Sequence, residues 1–279
     1  MRVLISVLAV LFLSAAAAQA ADHPANWSRP TAPFRIVGNV YYVGTEGLSA
    51  FLVTGPAGHV LIDGGLPSSA SLIADSIRRL GFDPRDVKLL LINHAHFDHA
   101  GGLAELKRLT GAQLAASAGD KADLEAGRTG GRPDLEGFPP AKVERTIRDG
   151  EEVRVGPVAL TAVLTPGHTA GATSWTTVAD GKRVIFASSI TVAGQKLVAN
   201  PAYPAAAADF RRTFARLRRE KADIFLNYHA EAFGLAGKRQ RQAAGDADAF
   251  VDPGELPRQV AGAERQFEAE LARQAERAP

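Results

Sequence analysis

The sequence predicts an α/β fold in which two β-sheets pack against each other and helices cover their outer faces. The first half begins with strand patterns and continues as alternating strands and helices, and the second half begins with strands again. Both halves end their strands in polar loops. Because an amphipathic helix or sheet must bury its apolar face against another layer, two packed sheets with outer helices are the expected arrangement.

The elements of the first half are predicted from turn residues and from the spacing of apolar side chains. Ser68 or Ser69 can cap a helix that stops at Gly81. Residues 87–92 are apolar enough to form a buried strand. Residues 127–141 are rich in glycine and proline, so we predict a mobile surface loop there. The other predicted strands are 34–43, 50–54, 59–63 and 113–116, and the other predicted helices are 103–109 and 119–126.

The second half is predicted to contain more strands than helices. Asp180-Gly181 is a favourable two-residue turn for a β-hairpin. The last predicted helix carries Leu256, Val260 and Phe267 on one face. The predicted strands are 153–155, 158–164, 174–178, 183–187 and 224–227, and the predicted helices are 205–219 and 253–274.

The N-terminus has the pattern of a secretory signal peptide. Arg2 precedes an apolar run over residues 3–13, and Ala18-Gln19-Ala20 fits the small-x-small cleavage rule. This run is shorter than the ~20 residues that a membrane-spanning helix needs. We therefore predict a signal peptide over residues 1–20, a single domain over residues 21–279, and a periplasmic location.

Composition excludes several other functions. The chain has no cysteine, so it can form neither a disulfide, nor a cysteine metal site, nor a cysteine nucleophile. The net charge is only +2, and the arginines of residues 211–219 interleave with apolar residues at helical spacing, which indicates a solvated helix face. No later apolar run reaches membrane length. We expect a monomer that binds no nucleic acid and has no membrane span.

The most informative segment is a cluster of histidines. Three of the seven histidines of the chain, His94, His96 and His99, fall within six residues, together with Asp98. They follow the predicted strand 87–92 and precede the helix 103–109, so they occupy a strand-to-helix turn. Neutral imidazole is a common metal ligand in proteins. The cluster therefore predicts a metal site rather than a solvated polar loop.

His168 and His229 can complete this site, because each lies in a turn just after an apolar strand. In an extended backbone, His94, His96 and Asp98 share one side and His99 points elsewhere. This favours a division of the ligands into two sets. A site with three histidine ligands leaves one coordination position open for water. Two metals ~3.5–4 Å apart can act on both the attacked and the leaving atoms. The predicted sets are His94, His96 and His168 for one metal, and Asp98, His99 and His229 for the other.

Other polar and aromatic residues have more than one interpretation. Asp63 ends a predicted strand, where it either holds a ligand histidine or the turn backbone, or simply forms a turn. His23 and His59 are expected to be exposed or packing histidines. Trp27 and Trp175 are expected to be aromatics of the core or of a groove.

The chain resembles the metallo-β-lactamase superfamily at these residues. His94-x-His96-x-Asp98-His99, Thr165-Pro166-Gly167-His168-Thr169-x-Gly171 and the late His229 match its motif in order and spacing. The resemblance covers essentially the whole mature chain and implies an αββα sandwich with a two-metal site at one edge. The chain is most similar to the third subclass of class B β-lactamases, in which one aspartate and two histidines hold the second zinc.

Further segments support this subclass, and the resemblance implies two zinc ions per chain. The other two subclasses use a cysteine at the second zinc, and this chain has none. Residues 187–191, 200–204 and 250–253 resemble the third subclass as well. Ala172 falls where many relatives carry cysteine. Ser188 falls where hydrolases acting on thioesters, lactones and phosphodiesters carry a metal-bridging aspartate, so those activities are disfavoured.

The resemblance implies zinc-dependent hydrolysis of the β-lactam amide bond, and hence antibiotic resistance. A zinc-bound hydroxide would attack the carbonyl carbon, and Asp98 would both ligate zinc and orient this nucleophile. Ser189 and Thr191 would bind the carboxylate of the small-molecule β-lactam substrate, unless they are ordinary strand-end hydroxyls, and Gln195 is a further candidate contact. Two alternatives stay open: a hydrolase of the same fold that acts on another ester, lactone or amide, and a non-catalytic zinc-binding protein.

Overall fold

The computed structural model describes residues 23–277, so the predicted signal peptide over residues 1–20 lies outside the described residues. The described chain folds into two β-sheets with helices around them, which confirms the predicted α/β sandwich. Within residues 23–277, no helix is both long and apolar enough to cross a lipid bilayer.

The first sheet comes from the first half of the chain. Its strands are β1 Phe34–Val37, β2 Val40–Tyr42, β3 Phe51–Val53, β4 His59–Ile62, β5 Val87–Leu91, β6 Gln113–Ser117 and β7 Arg145–Ile147. They lie side by side in chain order. The pairs from β1 to β4 are antiparallel, and the pairs from β4 to β7 are parallel.

The second sheet comes from the second half. Its strands are β8 Glu152–Val155, β9 Val158–Leu164, β10 Thr173–Ala179, β11 Lys182–Ala187 and β12 Ile224–Asn227, in the spatial order β12-β11-β10-β9-β8. Strands β11 and β12 are parallel, and the other neighbours are antiparallel. Strands β9, β11 and β12 therefore run in one direction and end at the same edge of the sheet.

The helices cover these sheets with amphipathic faces. They are α1 Ser69–Arg79, α2 Phe97–Ala100, α3 Leu103–Thr110, α4 Ala118–Ala126, α5 Ala206–Leu217, α6 Leu235–Ala243 and α7 Glu255–Glu276. Helix α1 buries Ile73 and Ile77, and α5 buries Phe210 and Phe214. Helices α5 and α7 pack against each other, and α7 also contacts β12.

Side chains along β3, β4 and β5 alternate between two apolar layers. Phe51, Ile62 and Leu91 belong to the layer that also contains the second sheet. Leu52 and Leu61 belong to the layer beneath α1 and α3. Because both faces of these strands are buried, their sequences are nearly continuous apolar runs rather than alternating patterns.

The structure differs from the predicted elements where local signals were weak. The predicted strand 34–43 is two strands, because the chain turns at Gly38, whose φ is 47°. A Cβ atom at this position would lie 3.1 Å from the backbone nitrogen of Asp180, so the turn requires glycine. Strand β7 and helix α6 were not predicted. The first has only three residues, and the second has almost no apolar stripe.

We expect Phe267→Ala to destabilise the protein strongly. The Phe267 ring is fully buried and lies 5.3 and 5.5 Å from the ring centroids of Phe210 and Phe214. Its truncation leaves a cavity between α5 and α7, which should lower the free energy of unfolding by about 3–5 kcal/mol. Urea denaturation measures this change. Val178→Ala is the control, because Val178 is 67% exposed and should change the free energy little.

Candidate metal centre

The histidine cluster lies where the chain leaves β5 and enters α2. His96 is the last extended residue before α2, and its carbonyl accepts hydrogen bonds from the backbone of His99 and Ala100. This tight turn directs His94, His96 and Asp98 to one region. All four polar side chains of the cluster, including His99, are buried. The strand-to-helix turn predicted from the sequence is therefore present.

The two later histidines also follow strand ends. His168 lies in the loop after β9, next to Gly167, whose φ is 139°. A Cβ atom on Gly167 would lie 2.8 Å from the Phe210 ring, so only glycine allows this close approach. His229 follows β12 after one intervening residue, Tyr228.

The fold brings the six predicted residues together. The Asp98 Oδ2 atom lies 3.1 Å from His99 Nε2 and 3.2 Å from His229 Nε2. Two groups have ligand atoms that all lie within 4.8 Å of one another: the first is a predicted set, and the second contains His94 where the predicted second set has His229. These groups are His94, His96 and His168, and His94, Asp98 and His99.

Backbone carbonyls determine which nitrogens of two histidines face each other. A carbonyl only accepts hydrogen bonds, so His96 Nε2 donates to Gly130 O at 3.0 Å, and His168 Nδ1 donates to Thr191 O at 2.8 Å. In neutral rings, the remaining nitrogens, His96 Nδ1 and His168 Nε2, both carry lone pairs. These two atoms are only 3.1 Å apart. A metal ion is the partner that two converging lone pairs require.

Burial keeps these imidazoles neutral. It lowers the pKa of His94 and His168 well below the usual value, and that of His96 to about 4. His94 Nδ1 and both ring nitrogens of His99 are buried without a hydrogen-bond partner. His99 Nε2 is close to Asp98 Oδ2 but is not aligned with it as a hydrogen bond. The donor set therefore fits a metal cation, because a metal requires deprotonated ligands with free lone pairs.

In the second predicted set, two side chains are charged rather than neutral. Burial raises the pKa of Asp98, but neighbouring His99 and His229 outweigh this and hold it well below its usual range. Burial also lowers the pKa of His229, but the carboxylates of Asp98 and Glu231 outweigh this and raise it to about 9. At neutral pH and without metal, Asp98 is thus an anion beside a protonated His229.

Asp63 lies just behind the cluster. It is fully buried, and its φ is 65°, an unusual conformation for a residue other than glycine. Its carboxylate accepts hydrogen bonds from Asn93 N at 2.8 Å and Asn93 Nδ2 at 2.7 Å, and it lies 3.8 Å from His99 Nδ1. Asp63 thus holds the backbone immediately before His94, and burial raises its pKa to about 6.

The predicted substrate-contact residues lie after β11, in the loop whose backbone holds His168. Ser189 is buried, Thr191 is exposed, and their hydroxyl oxygens are 3.1 Å apart. Gln195 is buried, and neither atom of its side-chain amide has a hydrogen-bond partner. Ser188 is also buried, and its hydroxyl donates to Asn93 O at 3.0 Å. Ser189 instead contacts the hydroxyls of Thr191 and Tyr228.

Tyr228 is a residue of this centre that the sequence analysis missed. Its ring lies edge-on to the rings of His94, His99 and His229, with centroid distances of 4.8–5.1 Å. Its hydroxyl donates to Ser189 Oγ at 2.8 Å. Burial raises its pKa to about 12, so the hydroxyl stays protonated. Only its position next to His229 could have signalled this contact.

Part of segment 127–141 also belongs to the centre, so its prediction as a surface loop is wrong there. Gly130 donates its N–H to Ala95 O at 2.8 Å and accepts from His96. Thr129 is buried as well. The segment shows no periodic pattern of apolar residues, because backbone hydrogen bonds rather than an apolar face hold it against the centre.

The remaining histidines and tryptophans pack as expected. His23 stacks on Phe97 at 5.0 Å, and Trp27 lies edge-on to His229 at 5.1 Å, so the N-terminal segment borders the centre. His59 is buried against Phe82. Trp175 is a core residue.

Solved structures similar to this chain include metallo-β-lactamases. A metallo-β-lactamase of Cronobacter sakazakii is 44% identical, with a TM-score of 0.86, over 89% of this chain and 97% of that chain. BJP-1, a subclass B3 metallo-β-lactamase of Bradyrhizobium japonicum, is 40% identical, with a TM-score of 0.85, over 90% of this chain and 98% of that chain. The predicted resemblance to the third subclass is thereby confirmed.

Curated relatives match over shorter segments. Hydroxyacylglutathione hydrolase of Rhodospirillum rubrum is 31% identical over 105 residues, which is 38% of this chain and 34% of that protein. The chain thus spans about a third of the length of this relative.

A family model for the metallo-beta-lactamase superfamily matches residues 43–229, a range that extends from the first sheet to the last histidine of the centre. With this match and the shared sandwich fold, the chain belongs to the metallo-β-lactamase superfamily.

Proposed function

We propose that this protein is a zinc-dependent β-lactamase, exported to the periplasm, that hydrolyses the amide bond of β-lactam antibiotics. The observation that carries the proposal is the likeness to a subclass B3 β-lactamase over nearly the whole chain. The residues of the centre agree with it, because histidine and aspartate side chains converge there and the chain has no cysteine.

In this proposal, two ligand sets hold two zinc ions. The neutral imidazoles and the converging lone pairs of His96 and His168 support the first set. The ionised Asp98 between His99 and His229 supports the second. Bound zinc would supply a nucleophile by lowering the pKa of water, and would stabilise negative charge on the reacting atoms. The sets are His94, His96 and His168, and Asp98, His99 and His229.

The chain's own residues orient the reactants. Asp98 stays ionised, so its carboxylate can accept a hydrogen bond from the attacking water and direct a lone pair at the β-lactam carbonyl. Ser189 Oγ accepts from the Tyr228 hydroxyl, which leaves the Ser189 proton free to be donated. Ser189 and Thr191 can then bind the substrate carboxylate, and the unpaired amide of Gln195 is a further candidate contact.

A second candidate is a hydrolase of the same fold that acts on another ester, lactone or amide. The partial match to hydroxyacylglutathione hydrolase favours it. Ser188 and Ser189 oppose it, since neither supplies a carboxylate between the metals. A non-catalytic zinc-binding protein would show two bound metals without turnover of any of these substrates.

We expect the purified protein to contain about two zinc ions per chain and to hydrolyse a chromogenic cephalosporin. Metal analysis and absorbance assays with and without a chelator measure both properties, and added zinc should restore activity after chelation. Clavulanate-type inhibitors should have no effect, because no covalent acyl-enzyme forms for them to trap. Hydrolysis of a thioester or lactone panel without any β-lactam turnover would select the second candidate. Bound iron in place of zinc would contradict the proposal.

We expect His229→Ala and Ser189→Ala to have separable effects. His229→Ala removes one protein ligand of the second zinc, so zinc content and kcat should both fall. Ser189→Ala should retain both zinc ions and mainly raise KM, because it deletes a hydrogen bond that is present in both ground and transition states. The lost charge-assisted bond corresponds to about 1.5–3 kcal/mol, or about ten- to a hundredfold in affinity.

Metal analysis and steady-state kinetics on the two variants provide the comparison. Full zinc content and full activity in His229→Ala would show that the ligand assignment is wrong. Unchanged KM and kcat in Ser189→Ala would leave Ser189 as an ordinary strand-end hydroxyl.

We expect the His229 imidazole of the metal-free protein to titrate at about pH 9, well above the usual value for histidine. The carboxylates of Asp98 and Glu231 cause this rise, so Glu231→Gln should lower the pKa. Since zinc binds only the neutral ring, affinity of the second set should increase with pH up to about 9. NMR titration of the histidine ring signals measures the pKa.

Glu264→Gln is the matched control for this titration, because Glu264 pairs with Arg218 rather than with His229. This variant should leave the His229 titration unchanged. A His229 titration at or below pH 6.5 in the wild-type protein would contradict the expected ion pair.

A further inference from the structure

A buried carboxylate outside the two ligand sets connects the loops that carry them. Asp120 lies in the first turn of α4 and is 1% exposed. Its Oδ2 atom accepts from Ala95 N at 2.8 Å and from Thr169 Oγ1 at 2.9 Å. Its Oδ1 atom accepts from Gly171 N at 2.8 Å. One side chain thus binds both loops.

The positions of these donors relate Asp120 to the three-histidine set. Ala95 lies between His94 and His96, and Thr169 directly follows His168. The distance between the two loops determines how closely His96 Nδ1 approaches His168 Nε2, which is 3.1 Å. Asp120 is therefore bonded to the backbone beside both histidines without contacting either ring.

Close packing prevents this arrangement from relaxing. A Cβ atom on Gly171 would lie 2.2 Å from Asp120 N, and one on Gly119 would lie 2.4 Å from Ala170 O. Ser117 Oγ also donates to Gly171 O at 2.6 Å. The N-terminal turn of α4 therefore packs directly against the loop that follows His168. This packing leaves no space for a side chain at Gly119 or Gly171.

The chemistry of the contact requires a carboxylate. Burying a charge costs free energy, and the partners of Asp120 are neutral N–H and O–H groups rather than a cation. Both carboxylate oxygens face donors. An asparagine would present an NH₂ group to one of these sides, where donor would meet donor. Only an acidic side chain can therefore accept all three hydrogen bonds at this position.

We propose that Asp120 is a positioning residue of the three-histidine metal site, and that its carboxylate sets the separation of the 94–99 and 165–171 loops. This inference rests on the proposed function insofar as it assumes metal binding at these histidines. It predicts that removal of the carboxylate weakens metal binding and changes the geometry of the bound metal, although no metal ligand is altered.

The test is a titration of metal-free Asp120→Asn with Co²⁺, followed by visible absorption, and with Zn²⁺ in competition with a chromogenic chelator. We expect metal affinity to fall about ten- to a hundredfold, as for other residues that orient metal ligands. The Co²⁺ absorption bands should shift in position and intensity, which a loss of global stability alone would not produce.

Asp223→Asn is the matched control. Asp223 also accepts three N–H bonds, from Arg183 at 2.8, 2.9 and 3.1 Å, but it lies just before β12, at the opposite end of the strand from His229. The substitution changes charge and volume as Asp120→Asn does. It should retain the wild-type Co²⁺ spectrum and the wild-type Zn²⁺ affinity.

A milder pair of variants keeps the test decisive if Asp120→Asn fails to fold. Thr169→Val removes only one of the three donors and should weaken metal binding in the same direction by a smaller factor, and Thr169→Ser should restore it. Wild-type affinity and spectrum in Asp120→Asn, or in Thr169→Val where only that variant folds, would overturn the role of Asp120. Wild-type protein that binds no Co²⁺ would instead overturn the metal centre itself.

Discussion

The contact between His96 and His168 is the constraint on which the rest of the centre depends. Each ring donates its outer N–H to a backbone carbonyl, and the two inner nitrogens then face each other at 3.1 Å with lone pairs. Neutral imidazoles cannot satisfy each other in this arrangement, and burial opposes their protonation. The surrounding structure must therefore hold two lone pairs together until a cation binds.

The sandwich supplies that support through several independent connections. His96 is held by Gly130 of the 127–141 segment, and His168 by Thr191 of the loop after β11. Asp63 holds the backbone at Asn93, just before the cluster. Each connection joins the edge of one sheet to a loop from elsewhere in the chain. Such preorganisation is what a metal site needs, since ligands held in place lose little entropy when the metal binds.

Asp98 gives the centre its electrostatic asymmetry. It is a buried anion beside His99 and His229, and it holds His229 protonated while the three histidines of the first set stay neutral. The two sets thus differ in charge before any metal binds. A cation entering the first set replaces no proton, whereas one entering the second must displace the His229 proton. This difference arises because the carboxylates of Asp98 and Glu231 raise the pKa of His229, whereas burial lowers the pKa values of the first three histidines.

The sequence by itself determined the fold class, most element positions and the grouping of six polar residues. Strand and helix periods are local, and His94 to His99 lie within six residues, whereas His168 and His229 were joined to this cluster because each follows an apolar strand and because the motifs resemble a known family. Tertiary structure alone decided the contacts of Asp120, Tyr228, Gly130 and Ser188. The hydrogen bonds that link these residues to other loops of the centre span 25 to 95 residues, as from Ala95 to Asp120 or from Asn93 to Ser188, and no local pattern encodes such pairings. Their partners become neighbours only when two sheets pack and bring their strand ends to one edge.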